Sequence, residues 1–136
     1  MPKYVVINPK VTINGTNVST GVAAATLELT AADVDVTSFG SNGYTELISG
    51  LKSGTVSLDF HSGYGVGEIN TVLNPLIGTL ATVVINPNGT ATSSTNPAWT
   101  ATVHVNSVSP VAGAIGDLSS FSVSYPTSGS VSFATA

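Results

Sequence analysis

A chain of 136 residues with no cysteine excludes disulfides and cysteine-based metal sites, and its length suits one domain, 1–136, able to bury a core of its own. Charged residues are 7% of the total, against roughly 25% in an average soluble domain, so Ser, Thr, Asn, Gly and Ala stand where charge would normally be. Seven carboxylates face only three lysines (Lys3, Lys10, Lys52) and no arginine, and the net charge of −4 excludes the basic patch that a nucleic-acid binder needs.

Strands are expected at 3–7 ("KYVVI") and 10–14 ("KVTIN"), separated by Asn8-Pro9, with Asn14-Gly15-Thr16 as a turn signal. The four-residue apolar run here is too short for a signal-peptide core. No run of about 18 apolar residues occurs anywhere, so no membrane-spanning helix is expected and the product should stay where it is made. Residues 22–30 alternate from Thr26 onward, with Leu27 and Leu29 inward and Thr26, Glu28 and Thr30 outward. Residues 31–43 hold Val34 and Val36 between Asp33 and Asp35, then the punctuated "SFGSNG". They read as a loose hairpin or a loop, and long loops in small domains are often functional.

A strand follows at 44–48 ("YTELI"), and "SGLKSG" is expected to turn the chain into another at 54–62 ("GTVSLDFHS"). There Val56, Leu58 and Phe60 point to a core, while Thr55, Ser57, Asp59 and His61 point away from it. The period then switches. Val66, Ile69, Val72, Leu73, Leu76 and Ile77 fall at helical spacing, Pro75 ends or kinks the helix near Asn74, and Gly78 stops it. Strands resume at 81–86. After a polar loop a long strand is expected at 98–108, with Trp99, Ala101, Val103 and Val105 on one face. Two more are expected at 119–125 and 130–134. The fold class is therefore mainly β: a single-domain β-sandwich or barrel of about eight strands with one short helix at its side.

Chemistry is sparse. His61 and Asp59 share a strand face, but no third ligand or nucleophile motif accompanies them, and His104 stands alone on another strand. Asp33 and Asp35 are too few for a cation that wants six to eight oxygens. "GYGVGE" precedes the helix, but no lysine follows and Glu68 fills the place an anion would take. The N-x-[ST] sequons at Asn14, Asn17 and Asn88 read as by-products of an Asn/Thr-rich composition. No enzyme activity, catalytic residue, metal or cofactor is expected.

What the composition does suggest is assembly. A nearly neutral surface rich in β-branched residues is an aggregation hazard for a lone subunit, and ordered polymerisation uses that surface instead. Four segments in order, "YTELISGLKSGTVSLDF", "INTVLNPLIGT", "TNPAWTATVHVNSVSP" and "GAIGDLSSFSVSYPTSG", resemble the major tail tube proteins of long-tailed bacteriophages over roughly residues 20–130. That resemblance implies subunits that join their inner sheets into hexameric rings. The rings stack into a tube in the virion tail, assembled in the host bacterial cytoplasm. It implies partners in other copies of the chain and in tape-measure and tail-terminator proteins. DNA would pass through the channel without specific binding, and no membrane is involved.

On this reading Asp59 and His61, or the opposing Glu46, face the lumen. The excursion with Asp33, Asp35, Phe39, Ser41 and Asn42 makes the contact between rings. Two alternatives fit the composition: a secreted or cell-surface β-sandwich adhesion or array module, and a carbohydrate-binding module. The second would want clustered exposed aromatics and has Tyr4, Tyr44 and Tyr64 as candidates, because Trp99 and Tyr125 alternate as core residues do.

Overall fold

The computed structural model describes residues 3, 5 and 7–135. Strands β1 (Lys10–Ile13), β2 (Thr16–Asn17), β5 (Leu80–Asn86), β6 (Ala98–His104) and β8 (Ser132–Ala134) form a five-stranded sheet in the order β2-β1-β5-β6-β8. Strands β3 (Val22–Asp35), β4 (Leu47–His61) and β7 (Ser120–Pro126) form a three-stranded sheet in the order β3-β4-β7. Every strand pairing is antiparallel. One short helix, α1 (Ile69–Leu73), continues as a 3₁₀ turn through Asn74–Leu76. The architecture is the expected β-sandwich with a helix beside it.

The core lies between the two sheets and follows from strand parity. Val56, Leu58 and Phe60 of β4 are buried, as are Phe121, Val123 and Tyr125 of β7. Against them pack Val11 and Ile13 of β1, Ala81 and Val83 of β5, and Ala101 and Val103 of β6. The Phe60 and Phe121 rings sit 5.2 Å apart at 41° and lie opposite each other in the β4–β7 ladder. Tyr125 keeps its ring in the core while its hydroxyl donates to the Ser107 carbonyl at 2.8 Å, tying β7 to the segment after β6. Burial pushes its pKa up to about 12. Ile69 and Leu73 are the buried face of α1.

Several expectations need correction. Lys3, Val5 and Ile7 carry no strand, and Tyr4 and Val6 lie outside the described residues. Strand β1 pairs with β5 on one side and, through the Asn14-Gly15 turn, with β2 on the other. Both turn residues have positive φ, 49° and 84°, as the tight hairpin requires. Val66 and Ile77 are exposed rather than on the helix's buried face, because α1 starts only at Ile69 and Pro75 tightens its end. Strand β6 stops at His104, short of 108, although Val105 is still fully buried.

The largest correction concerns residues 31–54. The segment 31–35 continues β3, and "SGLKSG" does not turn. It is the middle of a single strand that runs from Leu47 to His61. Its two glycines provide close approach instead. A Cβ at Gly54 would meet Leu29 Cδ2 at 2.9 Å and the Glu28 carbonyl oxygen at 3.0 Å, and one at Gly50 would meet Val34 Cγ2 at 3.0 Å. A register shift between Ala31 and Asp33 absorbs the extra residue on β4.

Two outcomes check this packing. Gly54→Ala should destabilise by about 1–3 kcal/mol through overpacking, while Gly40→Ala, with nothing nearer than 3.7 Å, should shift the chemical-denaturation midpoint little. Tyr125→Phe should cost about 1–2 kcal/mol by leaving the Ser107 carbonyl unpaired. In the parent chain the raised phenol pKa favours the protonated form in the fold. Stability should therefore hold up to pH 10.0 and fall as pH rises toward about 12, followed by tyrosinate absorbance against unfolding.

Candidate assembly surface

Strands β3 and β4 are much longer than the sandwich is tall. Only the halves near Val22–Leu27 and Val56–His61 share the core. The remaining ladder, from Leu29↔Gly54 to Asp35↔Leu47, extends beyond it as a two-stranded arm. The arm is apolar where a solvated hairpin would be charged: Leu29, Val34, Val36, Leu47, Ile48 and Leu51 are all exposed. Val34 lies directly opposite Ile48, so their side chains share one face, while the Asp33↔Ser49 and Asp35↔Leu47 pairs share the other.

The arm's tip is tightly built. Asp35 Oδ1 accepts the Thr37 backbone N–H at 2.8 Å, and bonds from the Thr37 side chain and backbone hold this carboxyl below the ordinary aspartate value of 3.8. Thr37 Oγ1 accepts the Glu46 N–H at 2.9 Å, and Val36 N–H donates to the Glu46 carbonyl at 2.9 Å. A 3₁₀ turn at Phe39–Ser41 carries a capping box, in which Ser38 N–H donates to Ser41 Oγ at 3.1 Å. Asn42 (φ 53°) and Gly43 (φ 83°) then reverse the chain. This frame leaves Phe39 fully exposed at the end of the arm.

The residues of the expected contact loop thus divide by position. Asp33 and Asp35 lie on the arm's ladder and Phe39 at its summit, while Ser41 (6% exposed) and Asn42 shape the turn beneath it.

The outer face of the three-stranded sheet is the second surface. It carries Thr26, Glu28 and Thr30 of β3, then Ser53, Thr55, Ser57, Asp59 and His61 of β4, and Ser120, Ser122 and Ser124 of β7. Hydroxyls bridge it, Thr30 Oγ1 to Ser53 Oγ at 3.1 Å and Ser57 Oγ to Ser124 Oγ at 3.3 Å. Lys52 is not on this face, because it pairs with Ala31 one step out of phase. Asp59 and His61 are exposed here, opposite Ala24 and Ser122 and opposite Ser120 respectively. Glu46 does not oppose them. It lies just outside β4 at the far end of the arm, and the carboxylate that shares their face is Glu28. The edges of this sheet, β3 and β7, have no further strand beside them among the described residues.

The third surface is a concavity of about 380 Å³ at the mouth of the sandwich beside the arm's base, lined by Leu27, Leu29, Ile85, Trp99 and two prolines, Pro9 and Pro87. Sequence reading placed Leu27, Leu29 and Trp99 inward but missed that the sheets leave a groove between them. The paired alternation on both sides of residues 36–46 was the available signal for the arm. Among the described residues no group of three His, Asp or Glu side chains converges to hold a metal, and no helix is long and apolar enough to cross a membrane. Of the carbohydrate-site aromatics, Tyr44 is on the arm and Tyr64 beside α1, where its hydroxyl donates to the Pro110 carbonyl at 2.7 Å, so the two do not cluster.

No protein-family profile and no curated protein matches this sequence. Solved structures do match the fold. A chain in the virion of a native gene transfer agent particle superposes with a TM-score of 0.74 at 16% identity, over 93% of this chain and 95% of that one. A chain in the tail of an empty gene transfer agent particle, determined by helical refinement with C6 symmetry, superposes with a TM-score of 0.65 at 19% identity, over 83% of this chain and 81% of that one. At such identities what is shared is the fold, and it is shared along most of the chain.

Proposed function

We propose that this chain is a structural subunit of a phage-type tail tube, which polymerises as stacked rings around a channel that DNA crosses without sticking. The observation that carries this reading is the arm, whose ladder leaves the sandwich with exposed Leu, Ile and Val side chains and Phe39 at its end. A lone subunit has nothing to cover them, and further copies do. The fold shared with chains of a virion and of a C6-symmetric tail supports hexameric rings and a place in the virion tail.

In such a ring the edge strands β3 and β7 of neighbouring subunits meet, and the three-stranded sheets run on into one wall. Their hydroxyl-lined outer face turns to the bore. Asp59 and His61 are on it with Glu28, and no lysine is. At −4 per copy, a six-membered ring would carry −24, which repels a polyanion rather than holding it. The arm, with Asp33, Asp35, Phe39 and Glu46, carries the contacts between subunits and rings. A tape-measure protein in the bore and a terminator at the tube's end complete the proposed set of partners.

Negative-stain microscopy across a concentration series tests the reading: hollow rods are expected, and a chain that remains monomeric at millimolar concentration rejects it. Deleting residues 38–43 should leave the far-UV spectrum of a folded β-sandwich and abolish the rods; long tubes from the deletion variant would remove the arm from the interface. Asp59→Lys with Ser124→Lys should still form tubes, but these should retain added DNA against a salt wash that clears the parent tubes. Equal DNA retention by both would place the bore elsewhere.

A further inference from the structure

We infer that Asn42, in the turn at the end of the arm, is a site of spontaneous covalent modification. In the folded subunit its side-chain amide is lost through a succinimide, selectively over the other two Asn-Gly pairs of the chain. The reaction belongs to the subunit itself and does not depend on the polymer reading above.

The sequence holds three such pairs, Asn14-Gly15, Asn42-Gly43 and Asn88-Gly89. In each, the glycine has no side chain to shield its main-chain nitrogen from the preceding side-chain carbonyl carbon. That nitrogen gives up its proton to solvent base and bonds to Asn Cγ. The Cγ–Nδ2 bond breaks, and the amide nitrogen takes a proton from water and departs as ammonia. Water then opens the ring at either carbonyl, leaving aspartate or isoaspartate.

The structure separates the three pairs. Asn14 and Asn42 are both exposed and share a backbone: φ is 49° and 84° across Asn14-Gly15, and 53° and 83° across Asn42-Gly43. Their bonds differ. Asn14 N–H donates to the Thr82 carbonyl at 2.8 Å, and Asn14 Oδ1 accepts the Thr82 N–H at 2.8 Å, so the residue is clamped to β5. Asn88 N–H donates to Asn96 Oδ1 at 2.9 Å, its carbonyl accepts from Asn96 Nδ2 at 3.0 Å, and its own Oδ1 accepts the Thr90 N–H at 3.3 Å. Among the described residues no hydrogen bond reaches the Asn42 side chain or the Gly43 N–H. A Cβ on Gly43 would meet nothing within 4 Å, so the approach to its nitrogen is open.

Ring closure needs the Gly43 nitrogen to swing alongside Asn42 Cβ, so ψ must leave its value of 42°. That opening breaks the Tyr44 N–H bond to the Ser41 carbonyl, 3.1 Å long, at the end of a projecting arm. At Asn14 the same opening breaks both bonds to Thr82 and disturbs the Ile13↔Thr16 pair of the β1–β2 hairpin. Two further hydrogen bonds to break lower the reactive population about tenfold or more. Of the products, aspartate still tolerates the left-handed backbone, and isoaspartate lengthens the main chain inside the turn. Either adds a carboxylate to an arm that already carries Asp33 and Asp35, with Glu46 at its far end.

The test follows the full chain, dilute enough to remain unassembled, at mildly alkaline pH. Samples are digested at intervals and mapped by mass spectrometry, with fragmentation that distinguishes aspartate from isoaspartate. Product at Asn42 should form at least about tenfold faster than at Asn14 or Asn88. Equal rates at Asn42 and Asn14, or a faster reaction at either other pair, overturns the inference. The same time course in denaturant separates the fold from the local sequence. There the three pairs should react at similar rates, and a preference for Asn42 that persists undiminished also overturns it.

Discussion

The structure depends on the antiparallel ladder that β3 and β4 share from the sandwich core out to the arm, through a register shift between Ala31 and Asp33. One 15-residue strand supplies the centre of the sandwich at its C-terminal end, through Val56, Leu58 and Phe60, and one side of a projecting arm at its N-terminal end. Backbone pairing makes the two halves one object, so the arm's aim is set by the core's register. The glycines allow this. Gly54 lets β3 and β4 pass under Leu29 where the sandwich ends, and Gly50 lies against Val34 where the ladder shifts register. A bulkier residue at either place would push the arm off line.

The same parity divides the chemistry. Within the sandwich, β4 residues in phase with Phe60 (Val56 and Leu58) meet the other sheet and are apolar, and those in phase with Asp59 (Thr55, Ser57 and His61) lie on the outer face and are polar. The solvated face holds its shape through short side chains bridging between strands, which lose little rotamer entropy compared with lysine or glutamate. Scarcity of charge is thus compatible with a well-defined surface, and it leaves the three lysines free for other places. Lys10 opens β1 out of phase with the buried Val11 and Ile13, and Lys52 stands on the arm across from Ala31.

Away from the sheets, buried asparagines do the work that a larger core would do elsewhere. Asn96 Nδ2 donates to the Asn88 and Thr90 carbonyls at 3.0 Å each, and its Oδ1 accepts the Asn88 N–H at 2.9 Å, so one amide closes the loop between β5 and β6. Asn70 joins α1 to two neighbours, accepting from Gly63 N–H at 2.8 Å and donating to the Pro110 carbonyl at 3.3 Å. Among the described residues no buried side-chain nitrogen or oxygen lacks a partner. The Asn-rich composition is therefore structural as well as superficial.

Sequence alone determined what alternation and backbone chemistry determine. The parity of 54–62 and 119–125, the Asn14-Gly15 turn, the end of the helix at Pro75 and Gly78, the mainly β class and the want of a basic patch are all local properties of the chain. It did not decide whether a glycine turns a strand or lets another pass close by. That difference lies in what stands opposite, and for Gly50 and Gly54 the answer is Val34 and Leu29, about twenty residues away. Nor could alternation say where the core ends: Leu27 and Leu29 carry the same pattern, but the five-stranded sheet covers the first far more than the second. Only the stacking of the two sheets set that limit, and with it the arm, the groove and the placing of Glu46 far from Asp59.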